Sequence, residues 1–435
     1  VSLASGATQS GFGRTGTVDW ITTPKVTGDS PITGVTGKGY FLNTTAGTIT
    51  INLPAGAAGS IVSMADYAAT WQTNNVTVAA NGTEKIGGVD ADVTLSTVGQ
   101  SVTFVYIDGT QGWVNVLDST SNVRGNAYMT ATVSGACNTL ATAPCCANAK
   151  IATFKGPGSF VVSGAALCAA NNLVSYMVIA GGGGGGGTGG GGGGGAGGFR
   201  ELVSPTAPYT ASPLDGYPNA PNRITVSASP YPIAVGGGGA GGDGCGGGGP
   251  QETGVNGSNA VFSTITSTGG GGGGTRASGG SQPQGNAGGS GGGNGRDAGN
   301  GTGGAGNTPS TTPAQGTSGG GVPGTNSYDG GGGGGAGAVG QDGALQQGGA
   351  GGCGVTSSIN ATPTVRAGGG GGGSDTAGDN GAGGPGGGGI AGRQPGCASG
   401  DGGTINTGSG GGGSGETGCG GLGGSGLVII RYKFQ

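Results

Sequence analysis

Along residues 12 to 120, apolar and polar positions alternate in short runs: Tyr40-Phe41-Leu42, Thr48-Ile49-Thr50-Ile51-Asn52-Leu53, Ser60-Ile61-Val62-Ser63-Met64, Asn75-Val76-Thr77-Val78 and Ser101-Val102-Thr103-Phe104-Val105-Tyr106-Ile107. A period of two sends neighbouring side chains to opposite faces of an extended chain, so each run predicts a strand. Turn formers separate the runs at Pro54-Ala55-Gly56, Asn81-Gly82 and Asp108-Gly109. This is the pattern of an antiparallel sandwich or a trimeric fibre module. Trp20, Trp71 and Trp113 are expected as core or interface fillers rather than carbohydrate-stacking platforms.

Strand-like runs return at 158–162 and 174–179, the latter leading straight into Gly181, and at 426–432, where the chain emerges from glycine. The last two are expected to pair and so to clamp the two ends of the intervening region. Inside it, glycine runs recur at Gly181 to Gly195 (broken by Thr188), Gly236 to Gly249, Gly269 to Gly274, Gly330 to Gly335, Gly368 to Gly373, Gly383 to Gly389 and Gly410 to Gly413. Polar inserts and two strand-like pieces, Arg223-Ile224-Thr225-Val226 and Pro232-Ile233-Ala234-Val235, separate them. Bracketing strands of this kind are not needed by a flexible linker.

An extended helix with three residues per turn has no internal hydrogen bonds, so its N–H and C=O groups must find partners on neighbouring chains. Only glycine lets backbones approach that closely on every side. At a rise of about 3.1 Å per residue, Gly181 to Gly195 would span about 45 Å. The expected fold is therefore all-β fibre modules followed by a polyglycine II helix bundle or sandwich bracketed by β-strands, with essentially no α-helix. The expected divisions are an N-terminal extension (1–11), a β fibre module (12–122), a Cys-containing β segment (123–180), the glycine-rich domain with variable loops (181–426) and a closing strand (427–435).

Composition narrows the function. Glycine makes up 122 of 435 residues and only 8% are charged, far from ordinary globular usage. Histidine is absent, which removes the commonest general base, the Ser-His and Cys-His pairs and imidazole metal ligands. The net charge of −4 and the near-confinement of lysine to the N-terminal part argue against nucleic acid as a partner. No apolar run is long enough to span a membrane, and the opening residues lack the basic-then-apolar pattern of a signal peptide. Of eight cysteines, Cys137, Cys145, Cys146 and Cys168 cluster as candidates for structural disulfides. The absence of any CxxC pair makes zinc the poorer alternative, and neither metal nor cofactor is expected.

Gly11-Phe12-Gly13-Arg14, Thr17-Val18-Asp19-Trp20, Gly39-Tyr40-Phe41, Ile51-Asn52-Leu53-Pro54-Ala55-Gly56, Glu84-Lys85-Ile86-Gly87-Gly88 and Gly112-Trp113-Val114-Asn115-Val116 together resemble a β module of marine bacteriophage tail fibres. The second half resembles the glycine-rich domains of phage fibres, through Tyr176-Met177-Val178-Ile179-Ala180-Gly181, Ala196-Gly197-Gly198-Phe199-Arg200-Glu201 and Gly426-Leu427-Val428-Ile429-Ile430-Arg431-Tyr432. It is similar in kind to the tip adhesins of T-even-type long tail fibres. In those adhesins the N-terminal part attaches to a separate fibre, whereas here the preceding module itself looks like fibre material.

The resemblance implies a virion tail-fibre adhesin, extracellular, whose partners are a host cell-surface receptor (polysaccharide or outer-membrane protein) and other tail proteins. The short strands and small exposed residues of the N-terminal module point to a homotrimer. Recognition is expected in the inserts Pro205 to Arg223, Ser281 to Gly324 and Asn326 to Asp329, with Tyr209, Asp215, Tyr217, Arg296, Tyr328 and Asp329 as candidate contacts. A passive glycine-rich fibre or cell-surface protein without specific ligand is the alternative. A depolymerising enzyme is not expected, because the acidic residues are scattered over separate inserts and offer no carboxylate pair.

Overall fold

The computed structural model describes residues 18–119, 127–144, 148–244, 253–276, 284–296, 301–324, 329–374, 378–393 and 398–435. The fold is all-β, and among the described residues the helical pieces are short 3₁₀ turns at Thr27–Asp29, Ala169–Asn172 and Ala220–Asn222. The chain divides into two compact units, Val1–Arg124 and Gly125–Gln435. The compositional break near Ala180 thus falls inside the second unit.

In the first unit the strands are β1 (Asp19–Val26), β2 (Ile32–Thr33), β3 (Lys38–Asn43), β4 (Ile49–Asn52), β5 (Ile61–Asp66), β6 (Val76–Ala79), β7 (Val93–Leu95), β8 (Ser101–Asp108) and β9 (Gly112–Ser119). They form two sheets, ordered β1-β3-β5-β8-β9 and β2-β4-β6-β7. From β1 to β6 the chain alternates between the sheets, so successive strands within each sheet run parallel. Of the two arrangements expected from the sequence, an antiparallel sandwich or a trimeric fibre module, the antiparallel sandwich is replaced by a two-sheet coil, closed by antiparallel pairs at β6–β7, β5–β8 and β8–β9. Like residues stack along the coil, with Ile32 beside Ile51 and Ile51 beside Val78. Tyr40, Leu42, Val62, Met64, Val102 and Phe104 from one sheet share a core with Ile49, Ile51, Val76 and Val78 from the other. Trp71 and Trp113 are fully buried, whereas Trp20 remains 37% exposed.

In the second unit, the central sheet has the spatial order Thr139–Thr142, Ala149–Phe154, Leu427–Lys433, Ser175–Ile179, Phe199–Leu202. The bracketing strands pair as expected, antiparallel, with Ile179 opposite Leu427. Both faces of Ser175–Ile179 are buried. Tyr176 and Val178 face a second sheet in a core with Phe154, Phe160, Phe262 and Tyr432, in which Phe160 meets Phe262 and Tyr432, and Tyr176 meets Phe262, edge to face. Met177 and Ile179 join Phe199 and Ile429 in another core that includes Val355 and Ile359. Pro232–Val235 falls largely within the strand Pro230–Ala234. Arg223–Val226 does not form a strand and contributes one bridge, Thr225 to Leu173.

Beyond this sheet the glycine runs are extended and bond to one another with a period of three. Gly181 and Gly184 donate to Ser258 and Val255, Gly182 and Gly185 to Gly424 and Gly421, and Gly183 and Gly186 to Gly195 and Gly192. Three successive residues thus address three different neighbours, and the fourth returns to the first. Gly181 to Gly195 is not one 45 Å rod. Thr188, Gly189 and Gly190 all have positive φ, and the chain reverses there into two antiparallel segments, with Gly183 bonding to Gly195 and Gly186 to Gly192.

The segment 191–197 lies at the centre. It donates to the runs at 271–274, 331–334 and 408–411 and accepts from those at 183–186, 290–293 and 370–373. The segments in and around this centre are the unbroken or nearly unbroken glycine runs. Peripheral segments turn only one residue in three inward: Gly418, Gly421 and Gly424 are buried while Leu422 is exposed, and Gly381 and Gly384 are buried while Ala382 is exposed. Glycine is obligatory only where a backbone has neighbours on that side, which explains why Cys353, Leu422 and Ile390 occur among the glycines.

Candidate functional site

The segments run up and down between two ends of the glycine region. One end is the central sheet, where the chain both enters and leaves the region, together with the turns near 258–268, 307–316, 336–338, 355–366 and 404–408. The opposite end carries the reversals at 188–190, 344–347 and 415–418 and the described residues that flank the connections 245–252, 277–283, 297–300, 325–328, 375–377 and 394–397. The candidate contacts divide between these ends. Tyr209, Asp215 and Tyr217 lie at the sheet end; Arg296 and Asp329 lie at the far end. Tyr328 lies outside the described residues.

At the sheet end, the insert 203–229 is tied down by polar groups in the base. Glu201 is 2% exposed and accepts hydrogen bonds from the Tyr209 hydroxyl (3.0 Å), the Ser212 N–H (2.9 Å) and the Ser357 hydroxyl (2.5 Å). It therefore joins this insert to the hairpin Val355–Arg366. The Tyr209 ring packs 5.5 Å from the guanidinium of buried Arg431, which donates to the carbonyls of Ile359 and Pro208. Burial, reinforced by Glu201, pushes the Tyr209 hydroxyl well above its ordinary pKa. Burial also lowers Arg366 below the usual guanidinium value, an effect that Glu201 opposes.

Asp215 accepts from the Val203 and Tyr217 N–H groups, both at 3.0 Å. Asn222 accepts from Arg200 at 2.7 Å and donates to the Thr312 carbonyl at 2.9 Å, linking a second insert to the first. Of the three sheet-end candidates, Tyr217 is the exposed one, with Arg223 over its ring at 5.5 Å. A cleft of about 670 Å³ opens at this end among Pro213, Leu214, Thr317, Ala336 and Val355.

Residues 155–433 match the glycine-rich domain family. The chain belongs to that family. The match takes in most of the second unit, including the bracketing strands as well as the glycine runs, and so agrees with a domain that begins before the compositional break. No curated protein matches the chain significantly.

At the far end of the glycine-rich domain, Arg296 is half-buried and its N–H donates to the Gly190 carbonyl. Asp329 is fully buried, and its N–H donates to the Ala344 carbonyl. Arg276 packs against Gly189, so close that a Cβ on that glycine would come within 2.8 Å of its side chain. Ser281 to Gly324, expected to be one insert, instead traverses the domain: 290–294, 301–307 and 317–322 all bond within it. The asparagines and serines there hide the run pattern, yet Asn294 bonds to Gly285, Gly301 and Thr302 as a structural member. Cys137 and Cys168 are exposed free thiols; Cys145 and Cys146 lie outside the described residues. No helix among the described residues is long and apolar enough to cross a membrane.

Proposed function

We propose that the protein is a phage tail-fibre adhesin that binds a host cell-surface receptor, a polysaccharide or an outer-membrane protein, without chemically transforming it. The glycine segments act as packed polyglycine II helices, and recognition lies in the connections at the end of the glycine-rich domain away from the sheet. The observation that carries this is the contrast between the ends. The sheet-end insert is locked by Glu201, Arg431 and Asn222, whereas the described segments on either side of the far-end connections are held by backbone bonds to their neighbours in the bundle. Such connections differ in length and composition without cost to the scaffold, the property a receptor-variable surface needs.

The test replaces 245–252, 277–283, 297–300, 325–328, 375–377 and 394–397 together with short Gly-Ser links and measures adsorption to host cells and melting temperature on the same protein. Loss of adsorption with melting nearly unchanged is the expected result. Unchanged adsorption would place recognition elsewhere, and a protein that binds no cell before replacement would be a passive fibre component. In the virion, the partners would be other tail proteins, with the first unit assembling as a homotrimer.

A further inference from the structure

The two-sheet coil of the first unit buries one face of β1-β3-β5-β8-β9 against the other sheet, and the residues of its second face form a groove. Across the strands, Trp20, Gly39, Ser63, Thr103 and Leu117 stand in one row. The floor is made of small side chains. The Trp20 ring lies over Gly39, where an added Cβ would come within 2.6 Å of it, and is braced by Phe41 at 4.9 Å. Ser63 and Thr103 share a buried hydrogen bond of 2.8 Å on the floor. At the rim, Asp118 is oriented by Gln100 (3.0 Å) and Asn115 (3.2 Å), one donor on each oxygen, which leaves further acceptor capacity on both. Ser101 and Ser119 complete a groove of about 320 Å³, within the usual range of small-ligand sites, about 300–1,000 Å³.

We propose that this groove binds a saccharide, with one sugar ring stacked on Trp20. A pyranose presents an apolar C–H face and an edge of hydroxyls. The groove offers the complement: an aromatic wall held at a fixed angle by Phe41 and Gly39, with hydroxyls and an oriented carboxylate beside it. A second copy of this face would instead set Asp118 and the serines against like groups. The site is independent of the far-end connections of the glycine-rich domain.

Trp71 and Trp113 are fully buried and Trp20 is 37% exposed, so iodide quenching of tryptophan fluorescence in the full chain reports on Trp20. The probes are glucose, galactose, N-acetylglucosamine and rhamnose, each as monomer and oligomer. Saturable protection of Trp20 by at least one of them is expected. It should be weakened roughly tenfold or more in Asp118→Asn, since a hydrogen bond to a charged group is at stake, and binding of the same sugar followed by titration calorimetry, which does not depend on the Trp20 signal, should be lost in Trp20→Ala, with melting temperature retained in both. Replacing the far-end connections should leave this protection intact. No protection by any probe, equal calorimetric affinity of wild type and Trp20→Ala for the protecting sugar, or Trp20 shielding that grows with protein concentration alone would overturn the proposal; the last would make the groove an interface between copies.

Discussion

Replacing Gly194 by alanine puts one methyl group at the centre of the glycine bundle. A Cβ there would lie against the Gly183 carbonyl, far inside van der Waals contact, with the Gly184 oxygen 2.8 Å away on the same side. Segment 191–197 must then move away from 181–187, weakening the bond from Gly183 N–H to the Gly195 carbonyl and straining those of Gly194 to Gly411 and Gly370. Three such bonds at about 1 kcal/mol each, added to an overpacking cost of about 1–3 kcal/mol, give a loss of roughly 4–6 kcal/mol. At about 2 °C per kcal/mol for a unit of this size, the melting temperature should fall by roughly 8–12 °C. The control is Gly237→Ala in a peripheral segment, where an added Cβ meets nothing within 4 Å. That change should be neutral or stabilise by up to about 1 kcal/mol, because alanine restricts the unfolded chain. Calorimetry of the full chain reads both. A Gly194→Ala protein melting within 2 °C or so of wild type, or an equal drop in both variants, would refute close backbone packing as the source of order.

Further outcomes follow from the sheet end. Glu201→Ala strands the Tyr209 hydroxyl, the Ser212 N–H and the Ser357 hydroxyl, each worth about 1–3 kcal/mol when left unsatisfied, so thermal unfolding should show a loss of 3 kcal/mol or more by that estimate. Exchanging the insert 205–223 should therefore destabilise the protein, unlike exchange of the far-end connections; equal stability after both exchanges would refute the division between the ends. Burial pushes Tyr432 up to about 12 and raises Tyr176 and Tyr209 as well. Because the folded values lie above the unfolded value of about 10, this stability is fully present below pH 10 and is lost as pH rises toward the folded values. Alkaline denaturation should steepen above pH 10, and Tyr432→Phe should soften it. Among the described residues the buried Tyr432 hydroxyl has no hydrogen-bond partner, so Tyr432→Phe should not destabilise at neutral pH; a loss there would reveal a partner.

Strand positions were legible because period-two alternation is a local property. The runs at 48–53, 60–64, 75–78 and 101–107 became β4, β5, β6 and β8, and the clamp of 175–179 on 427–433 followed from two apolar strands flanking a region in which glycine far outnumbers the large apolar residues. The direction of pairing was not legible. Whether the next strand turns back or crosses to another sheet depends on connections of unequal length, which break any fixed repeat, so the parallel coil of β1 to β6 left no period in the sequence. Tyr209 and Asp215 looked like loop residues because Glu201 and Arg431, which fix that insert, are distant in sequence or hidden within strands.

What the sequence by itself determined was that backbone, rather than side chains, must hold the glycine runs of the second unit together, since a run without Cβ atoms has nothing else to pack. Which run sits at the centre, where Gly181 to Gly195 folds back, and which inserts share an end were decided only by tertiary structure. A glycine carries no side chain to specify its neighbour. Each run finds its place through hydrogen bonds to several others at once, and through the sheet that fixes where the chain enters and leaves.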